Sequence, residues 1–293
     1  MKIAVLSGKG GTGKTFVSVN LACSASEQNP NSKAVYADCD VEEPNGRLFL
    51  KPDNTVKEKV SVLVPEVNAA KCTACRKCVD FCRYNALAYV KDKLLVFKEI
   101  CHSCEGCIIF CPQKALSKTE RGIGYIEQGT SGDLMVLTGC LNTGEVSGVQ
   151  IIKDLMSKLP QKGITVIDCP PGSACTVMES IKAADYCLLV TEPTIFGAQN
   201  LSMVYELVKL FNKPLGIVLN KCMSDQKNPS VEFCISRQIE IIERIRFDAQ
   251  LVKYNSDGIL AVHQSKYYME LFQGILKNLQ KRWENETAVD SQR

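Results

Sequence analysis

The sequence predicts an α/β fold, a doubly wound and mostly parallel sheet with helices on both faces, interrupted by one segment of different character. Three observations predict it. Apolar, β-branched runs recur at 2–6, 33–37, 134–137, 164–167, 186–190 and 215–219 and lead into loops, the pattern of strands buried on both faces. Segments with helical spacing lie between them, at 15–25, 148–159, 201–210 and 231–243, which gives the alternation of a parallel sheet. Residues 66–118 break that rhythm, and between Cys72 and Cys111 they hold eight of the chain's 16 cysteines.

The expected organisation is a discontinuous α/β domain, 1–65 and 119–293, with 66–118 inserted as a small second domain. The insertion is expected in a surface loop between strand-like stretches at 59–64 and 122–127, where added length costs little. The polar end, 284–293, is expected to fray.

A length of 293 residues with 45% hydrophobic content supplies one large core plus an appendage. The 35 basic and 32 acidic residues leave a net charge of only +3, so a polycationic face for nucleic acid is not expected. The first apolar run is too short for a secretory core, and no run reaches the ~20 residues that span a bilayer. A cytoplasmic chain is expected. Thiols stay reduced there, so the cysteines read as metal ligands or small apolar side chains rather than disulfides.

Gly8-Lys9-Gly10-Gly11-Thr12-Gly13-Lys14-Thr15 follows the first strand and opens the first helix. This is the G-x-x-x-x-G-K-S/T phosphate loop in its required context. Glycines let successive backbone N–H groups turn onto phosphate, Lys14 reaches the β- and γ-phosphates, and the Thr15 hydroxyl ligates Mg²⁺. The run at 164–167 ends in Asp168, followed by Cys169-Pro170-Pro171-Gly172. Asp168 is expected to hold Mg²⁺ through water, and the Gly172 N–H to sense the γ-phosphate.

With its second lysine, Lys9, the loop resembles the deviant Walker A motif of the MinD/ParA ATPases and the nitrogenase iron protein. The resemblance implies an ATP-dependent homodimer in which Lys9 reaches the partner's nucleotide. Asp38-Cys39-Asp40 resembles switch I of that group, which implies Asp40 orienting the attacking water and Asp38 serving the Mg²⁺ shell, or the reverse. Asn220-Lys221 resembles a base-recognition loop. Met223 stands where guanine recognition needs an aspartate, which favours adenine. Ile245-Arg246-Phe247-Asp248 occupies the place of a segment near the adenine, with Arg246 where that group usually has proline.

Cys72, Cys75, Cys78 and Cys82 repeat the spacing of Cys101, Cys104, Cys107 and Cys111, which Pro112 follows. Each run is C-x₂-C-x₂-C-x₃-C, the ligand pattern of bacterial two-cluster ferredoxins, in which the fourth cysteine serves the other cluster. The expected 4Fe-4S ligand sets are therefore Cys72, Cys75, Cys78 and Cys111, and Cys101, Cys104, Cys107 and Cys82. Zinc is the alternative, but its sites usually pair two C-x₂-C elements across a longer gap. Arg83 replaces the usual proline after the first run. Together with Lys71, Arg76 and Lys77 it would offset cluster charge or dock an acidic partner. His102 is expected beside the ligands rather than among them.

The combination resembles the MinD-superfamily P-loop ATPases with an inserted two-cluster ferredoxin domain. It implies ATP, Mg²⁺, two 4Fe-4S clusters and an unidentified redox or metallocofactor partner protein. The leading expectation is ATP-driven dimer switching coupled to electron transfer. The alternatives are an ATP-dependent scaffold or carrier for metallocofactor assembly, and a MinD-like positioning ATPase with redox-sensing clusters. Similarity to the nitrogenase iron protein further suggests a third, dimer-bridging cluster at Cys175 and Cys140. Tyr268, Leu271, Phe272, Ile275, Leu276, Leu279 and Trp283 form a helical apolar stripe, expected to pack on the sheet rather than bind membrane.

Overall fold

The computed structural model describes residues 1–28, 34–223 and 228–290. Lys33 of the second expected strand and the last three residues lie outside them.

The chain opens with β1 (Lys2–Leu6), α1 (Lys14–Gln28), β2 (Ala34–Asp38) and α2 (Gly46–Leu50). A long ribbon strand, β3 (Asp53–Val67), leads into α3 (Lys77–Phe81), the hairpin β4 (Leu87–Val90) and β5 (Lys93–Val96), and α4 (Gly106–Ile109). The return strand β6 (Leu116–Ser131) is followed by β7 (Leu134–Leu141), α5 (Val149–Ser157), β8 (Ile164–Asp168), α6 (Cys175–Ala183) and β9 (Tyr186–Thr191). Then come α7 (Ile195–Leu210), β10 (Leu215–Cys222), α8 (Pro229–Ser236), β11 (Ile241–Arg246), α9 (Ala249–Ser256), α10 (Ala261–Gln264) and α11 (Lys266–Asp290).

Among the described residues, nine strands form one sheet in the order β11-β10-β9-β1-β8-β2-β7-β6-β3. From β11 to β7 the pairing is parallel, and β6 and β3 add antiparallel. Successive side chains of a strand face opposite sides, so Ile3 and Val5 pack toward α1 and α11 while Ala4 and Leu6 join the core under α5, α6 and α7. The fold is therefore the doubly wound α/β sheet that the sequence predicts.

Three expectations need correction. The helix over 231–243 ends at Ser236, where Gln238 adopts a left-handed φ of 54° and the Ile239 N–H bonds back to Cys234 O at 2.8 Å. Residues 241–246 become an edge strand because β-branched Ile241, Ile242 and Ile245 pack well on the half-buried surface beside β10. The C-terminal stretch does not fray at 284. It stays helical to Asp290, with no glycine or proline to stop it.

The third correction concerns the insertion, which grows from the tip of an extended ribbon rather than a surface loop. β3 and β6 pair from Asp53↔Thr130 to Val67↔Leu116, across the expected 65/66 and 118/119 boundaries. A small core of Leu87, Cys107 and Leu116 closes the tip, and β4 and β5 turn through Lys91 (φ 47°) and Asp92 (φ 61°), the mirror-image turn that suits strand twist.

On α11, Phe272, Ile275, Leu276 and Leu279 are fully buried against α1 and the sheet, with Phe16 and Phe272 meeting edge to face at 5.9 Å. The stripe is core, as expected. No helix of the described residues is long and apolar enough to cross a membrane.

Candidate nucleotide site and cysteine-lined cavities

The phosphate loop connects β1 to α1 at the carboxyl end of the parallel strands, where open α/β sheets bind ligands. Gly11 (φ 78°) and Gly13 (φ 93°) hold left-handed backbone. A Cβ on Gly13 would stand 2.1 Å from Asn220 Nδ2, and one on Gly8 would stand 2.3 Å from the Asn200 carbonyl of α7. The loop thus needs its glycines for close packing as well as for its turn.

Five buried groups converge beneath it. Lys14 Nζ donates to Asp168 Oδ1 at 2.6 Å, as does the Ser18 hydroxyl at 3.0 Å. Register places Asp38 of β2 directly beside Asp168 of β8. The Tyr36 hydroxyl lies 3.0 Å from Asp168 Oδ2 and 3.3 Å from Asp38 Oδ2. Burial, then the neighbouring Asp168 charge, pushes the Asp38 carboxyl up to about 8, with Lys14 and the Gly46 N–H opposing. Asp40 is half-buried 3.7 Å from Lys14, and burial raises it to about 6.

A cavity of about 640 Å³ opens above, lined by Lys9, Lys14, Thr15 and Asp40 at one end and by Phe49, Arg246, Phe247 and Leu251 at the other. That volume suits a nucleotide-sized ligand. Gly10, Gly11, Asn220 and Lys221 also face it. Asn220 Nδ2 donates to Thr12 O at 2.9 Å, and Lys221 Nζ donates to Gly11 O at 2.6 Å, so both residues brace the loop. The Thr12 hydroxyl is buried without a hydrogen-bond partner. Gly172 (φ 91°) donates its N–H to Ser7 O at 3.0 Å, tying the Asp168 loop to the phosphate loop.

Lys9 points to its own chain. Its ammonium pairs with Glu192 at 2.5 Å, and Lys221 approaches the same carboxylate at 3.4 Å. Desolvation pushes Glu192 upward, but the hydrogen bond and charge of Lys9, then Lys221, hold it below the usual range.

Val41, next to Asp40, is tied to β7, which in turn pairs with the ribbon strand β6. The Leu141 N–H of β7 donates to Val41 O at 2.8 Å, Leu141 pairs in register with Gly124 of β6, and Asn142 N–H bonds Ile123 O at 2.9 Å. Val41 fits a slot where Cβ atoms on Gly148 or Gly139 would stand 2.3 and 2.8 Å from its methyls.

At the ribbon tip the cysteines stand around two cavities. One is lined by Cys72, Cys75, Cys78 and Cys111, the other by Cys82, Cys101, Cys104 and Cys107. The two runs share a backbone: left-handed φ recurs at Ala74 and Ser103, Arg76 and Glu105, and Asn85 and Lys114. Ala86 and Ala115 donate N–H groups to Cys82 and Cys111 Sγ at 3.3 and 3.2 Å. Among the described residues, no group of three or more His, Cys, Asp or Glu is drawn together closely enough to hold a single metal ion. Burial, then nearby thiols, pushes the Cys107 thiol up to about 11.

The remaining expected pair differs in exposure. Cys175 is exposed at the start of α6, whereas Cys140 is buried within β7.

Sequence reasoning missed Tyr36, Ser18 and Glu192 as site residues. Two had a signal: Tyr36 lies two residues before Asp38 on the same strand face, and Ser18 one helical turn after Lys14.

A glycine loop after β1, a lysine at the head of α1 and an aspartate ending the adjacent β8 define a nucleotide-binding P-loop ATPase of MinD/ParA type. The family model described as CobQ/CobB/MinD/ParA nucleotide binding domain matches residues 3–261, and the chain belongs to that family. It is 31% identical over 284 residues to uncharacterized protein MJ0578 of Methanocaldococcus jannaschii, covering 96% of this chain and 97% of that one. MJ0579 of the same organism is 30% identical over 258 residues, covering 87% and 93%. Among solved structures, the septum site-determining protein MinD of Pyrococcus horikoshii, complexed with Mg-ADP, superposes with a TM-score of 0.60 at 18% identity, covering 95% of each chain. The cell division ATPase MinD of Pyrococcus furiosus gives 0.59 at 21% identity, covering 96% of this chain and 98% of that one. These structures share the fold.

Proposed function

We propose that this chain is a Mg²⁺-dependent, ATP-hydrolysing iron–sulfur protein that couples nucleotide-driven dimer switching to electron transfer. The observation that carries the reading is continuity: the cysteine-lined cavities end a ribbon hydrogen-bonded into the same sheet as the phosphate loop.

At the nucleotide site, Gly8, Gly10, Gly11, Thr12 and Gly13 cradle phosphate, and the unpartnered Thr12 hydroxyl fits that use. Lys14 balances the phosphate charge, Thr15, Asp38 and Asp168 serve Mg²⁺, and Asp40 orients water. Gly172 reports phosphate once its N–H leaves Ser7. Asn220 and Lys221 border the base. Lys9 leaves Glu192 to act in a second copy. Adenine is favoured by Met223 at the guanine-reading position.

The donor chemistry fits two 4Fe-4S clusters. Each cavity offers four thiols, and a thiol held near 11 becomes a thiolate at neutral pH when a metal takes the proton's place. Bound there, the clusters supply one-electron storage. The chain's own contribution is to wrap them, donate N–H groups to sulfur, and link them to switch I through Val41, Leu141 and β6. The exposure of Cys75 and Cys104 at the cavity mouths also suits a carrier that hands clusters on.

Anaerobic purification with iron counting and EPR, followed by ATP titration of wild type and Lys14→Ala, tests the reading. Eight irons per chain are expected, with spectra that respond to ATP only in the wild type. Unchanged spectra despite normal ATP binding sink the coupling. Intact transfer of clusters to an apo-protein selects the carrier.

A further inference from the structure

The two cysteine-lined cavities differ in position and charge. The one holding Cys82 is lined by Leu63 and Pro65 of β3, whereas the one holding Cys111 is lined by Ala115 and Leu116 at the ribbon's end. Leu63 lies four residues nearer the main sheet than Val67, which pairs with Leu116, a span of about 13 Å along a strand. The Cys111 cavity is therefore the outer one.

Charge follows the same division. Arg76 and Lys77 line the outer cavity and exposed Lys71 and Lys114 flank its ligands, whereas the inner set has exposed Arg83 next to Cys82. Arg76 is held over the Tyr89 ring at 5.3 Å. No Lys or Arg lines the inner cavity, whose Glu105 is already paired with Lys118 at 2.5 Å. Residues 68–115 carry eight Lys and Arg against four Asp and Glu, so the insert holds more than the chain's whole surplus of +3. Cys75 is exposed between Ala74 and Arg76, so the cationic rim surrounds a reachable edge of the outer site.

We propose that this outer cationic rim is a docking surface for an acidic one-electron carrier protein, which exchanges electrons with the cluster in the Cys111 cavity. The inference rests on the cluster reading given above. Opposite charge steers encounter and raises association rates steeply at low salt, and the rim places that encounter at the cavity farthest from the nucleotide site. One electron leaves the carrier, oxidising it by one. The cluster is reduced by one, and no bond or proton changes hands.

Stopped-flow reduction of the anaerobic full-length protein by a reduced acidic 2Fe-2S ferredoxin tests this, alongside calorimetric binding of the oxidised probe. The rate is expected to fall as salt rises, and Lys71→Glu/Lys77→Glu to lower it on the order of tenfold at low ionic strength. The same pair of substitutions should speed electron transfer to basic cytochrome c. A control, Lys153→Glu/Lys209→Glu on the body of the protein, should change either rate less than about twofold. Equal losses in both double variants, or a salt-insensitive rate, overturn the proposal. Iron content and EPR are read on the same samples. Absence of iron overturns the cluster reading and the proposal together, whereas eight irons per chain with charge-blind reduction overturn the proposal alone.

Discussion

Lys9 and Glu192 form a 2.5 Å ion pair at the mouth of the phosphate loop, within one chain. The lysine proposed to reach a second copy's nucleotide is thus tethered at home, and the proposed dimer would have to break the pair. Lys9 is about one-third exposed, so the tether is worth no more than about 1 kcal/mol. Glu192→Gln should therefore strengthen the ATP-dependent dimer by up to about fivefold, measured by sedimentation. An unchanged dimer constant removes the tether from the switching cycle.

Lys14→Ala should do more than abolish nucleotide binding. It leaves Asp168 and Asp38 buried side by side without their cation, and stripping one partner from a buried pair costs about 3 kcal/mol. Urea unfolding of the nucleotide-free protein reads this directly. An unaltered midpoint means the carboxylates have found another partner.

The raised Asp38 and Asp40 carboxyls set a pH dependence. Their folded values, about 8 and about 6, exceed the ordinary 3.8, so between those limits the native state binds protons that the unfolded state releases. The stability of the nucleotide-free protein should fall as pH rises from about 4 to about 8. Mg²⁺ needs the ionised forms, so its binding at neutral pH should expel protons, and its apparent affinity should climb toward pH 8. Calorimetry in buffers of different ionisation enthalpy counts the protons, and Asp38→Asn should remove most of them.

Cysteine substitutions should sort by cavity rather than by run. Cys111→Ala should erase the same EPR signal as Cys72→Ala, and Cys82→Ala the same signal as Cys101→Ala, because those pairs line common cavities. Signals that sort by sequence neighbours contradict the crossed arrangement.

Gly148→Ala should loosen the link between nucleotide and clusters. Its Cβ would fall 2.3 Å from a Val41 methyl, forcing switch I off β7 at a cost of about 1–3 kcal/mol. Iron content should stay intact while the ATP response of the EPR spectrum shrinks. A full response in this variant excludes the Val41 contact as part of the coupling.

Much of the fold was legible because buried parallel strands and the phosphate loop are local patterns. The run Ile164-Thr165-Val166-Ile167-Asp168 reads as strand plus carboxylate without any knowledge of its neighbours. Residues 231–243 were misread because apolar spacing there satisfies a helix until the half-buried edge of β10 favours a strand. The ribbon was seen only as two short strands, since the first half of β3, 53–59, nearest the main sheet, is exposed and charged and lacks a buried face to mark it.

By itself the sequence determined which residues can bind phosphate and which thiols come in ligand-spaced runs, because both depend on spacing within a few residues of chain. Tertiary structure decided the rest. Strand register put Asp38 beside Asp168 under Tyr36, packing turned Lys9 onto Glu192, and the β3–β6 pairing set the outer cavity at the far end of the ribbon. Those relationships join residues distant in the chain, and only close packing and hydrogen bonding across the sheet fix them.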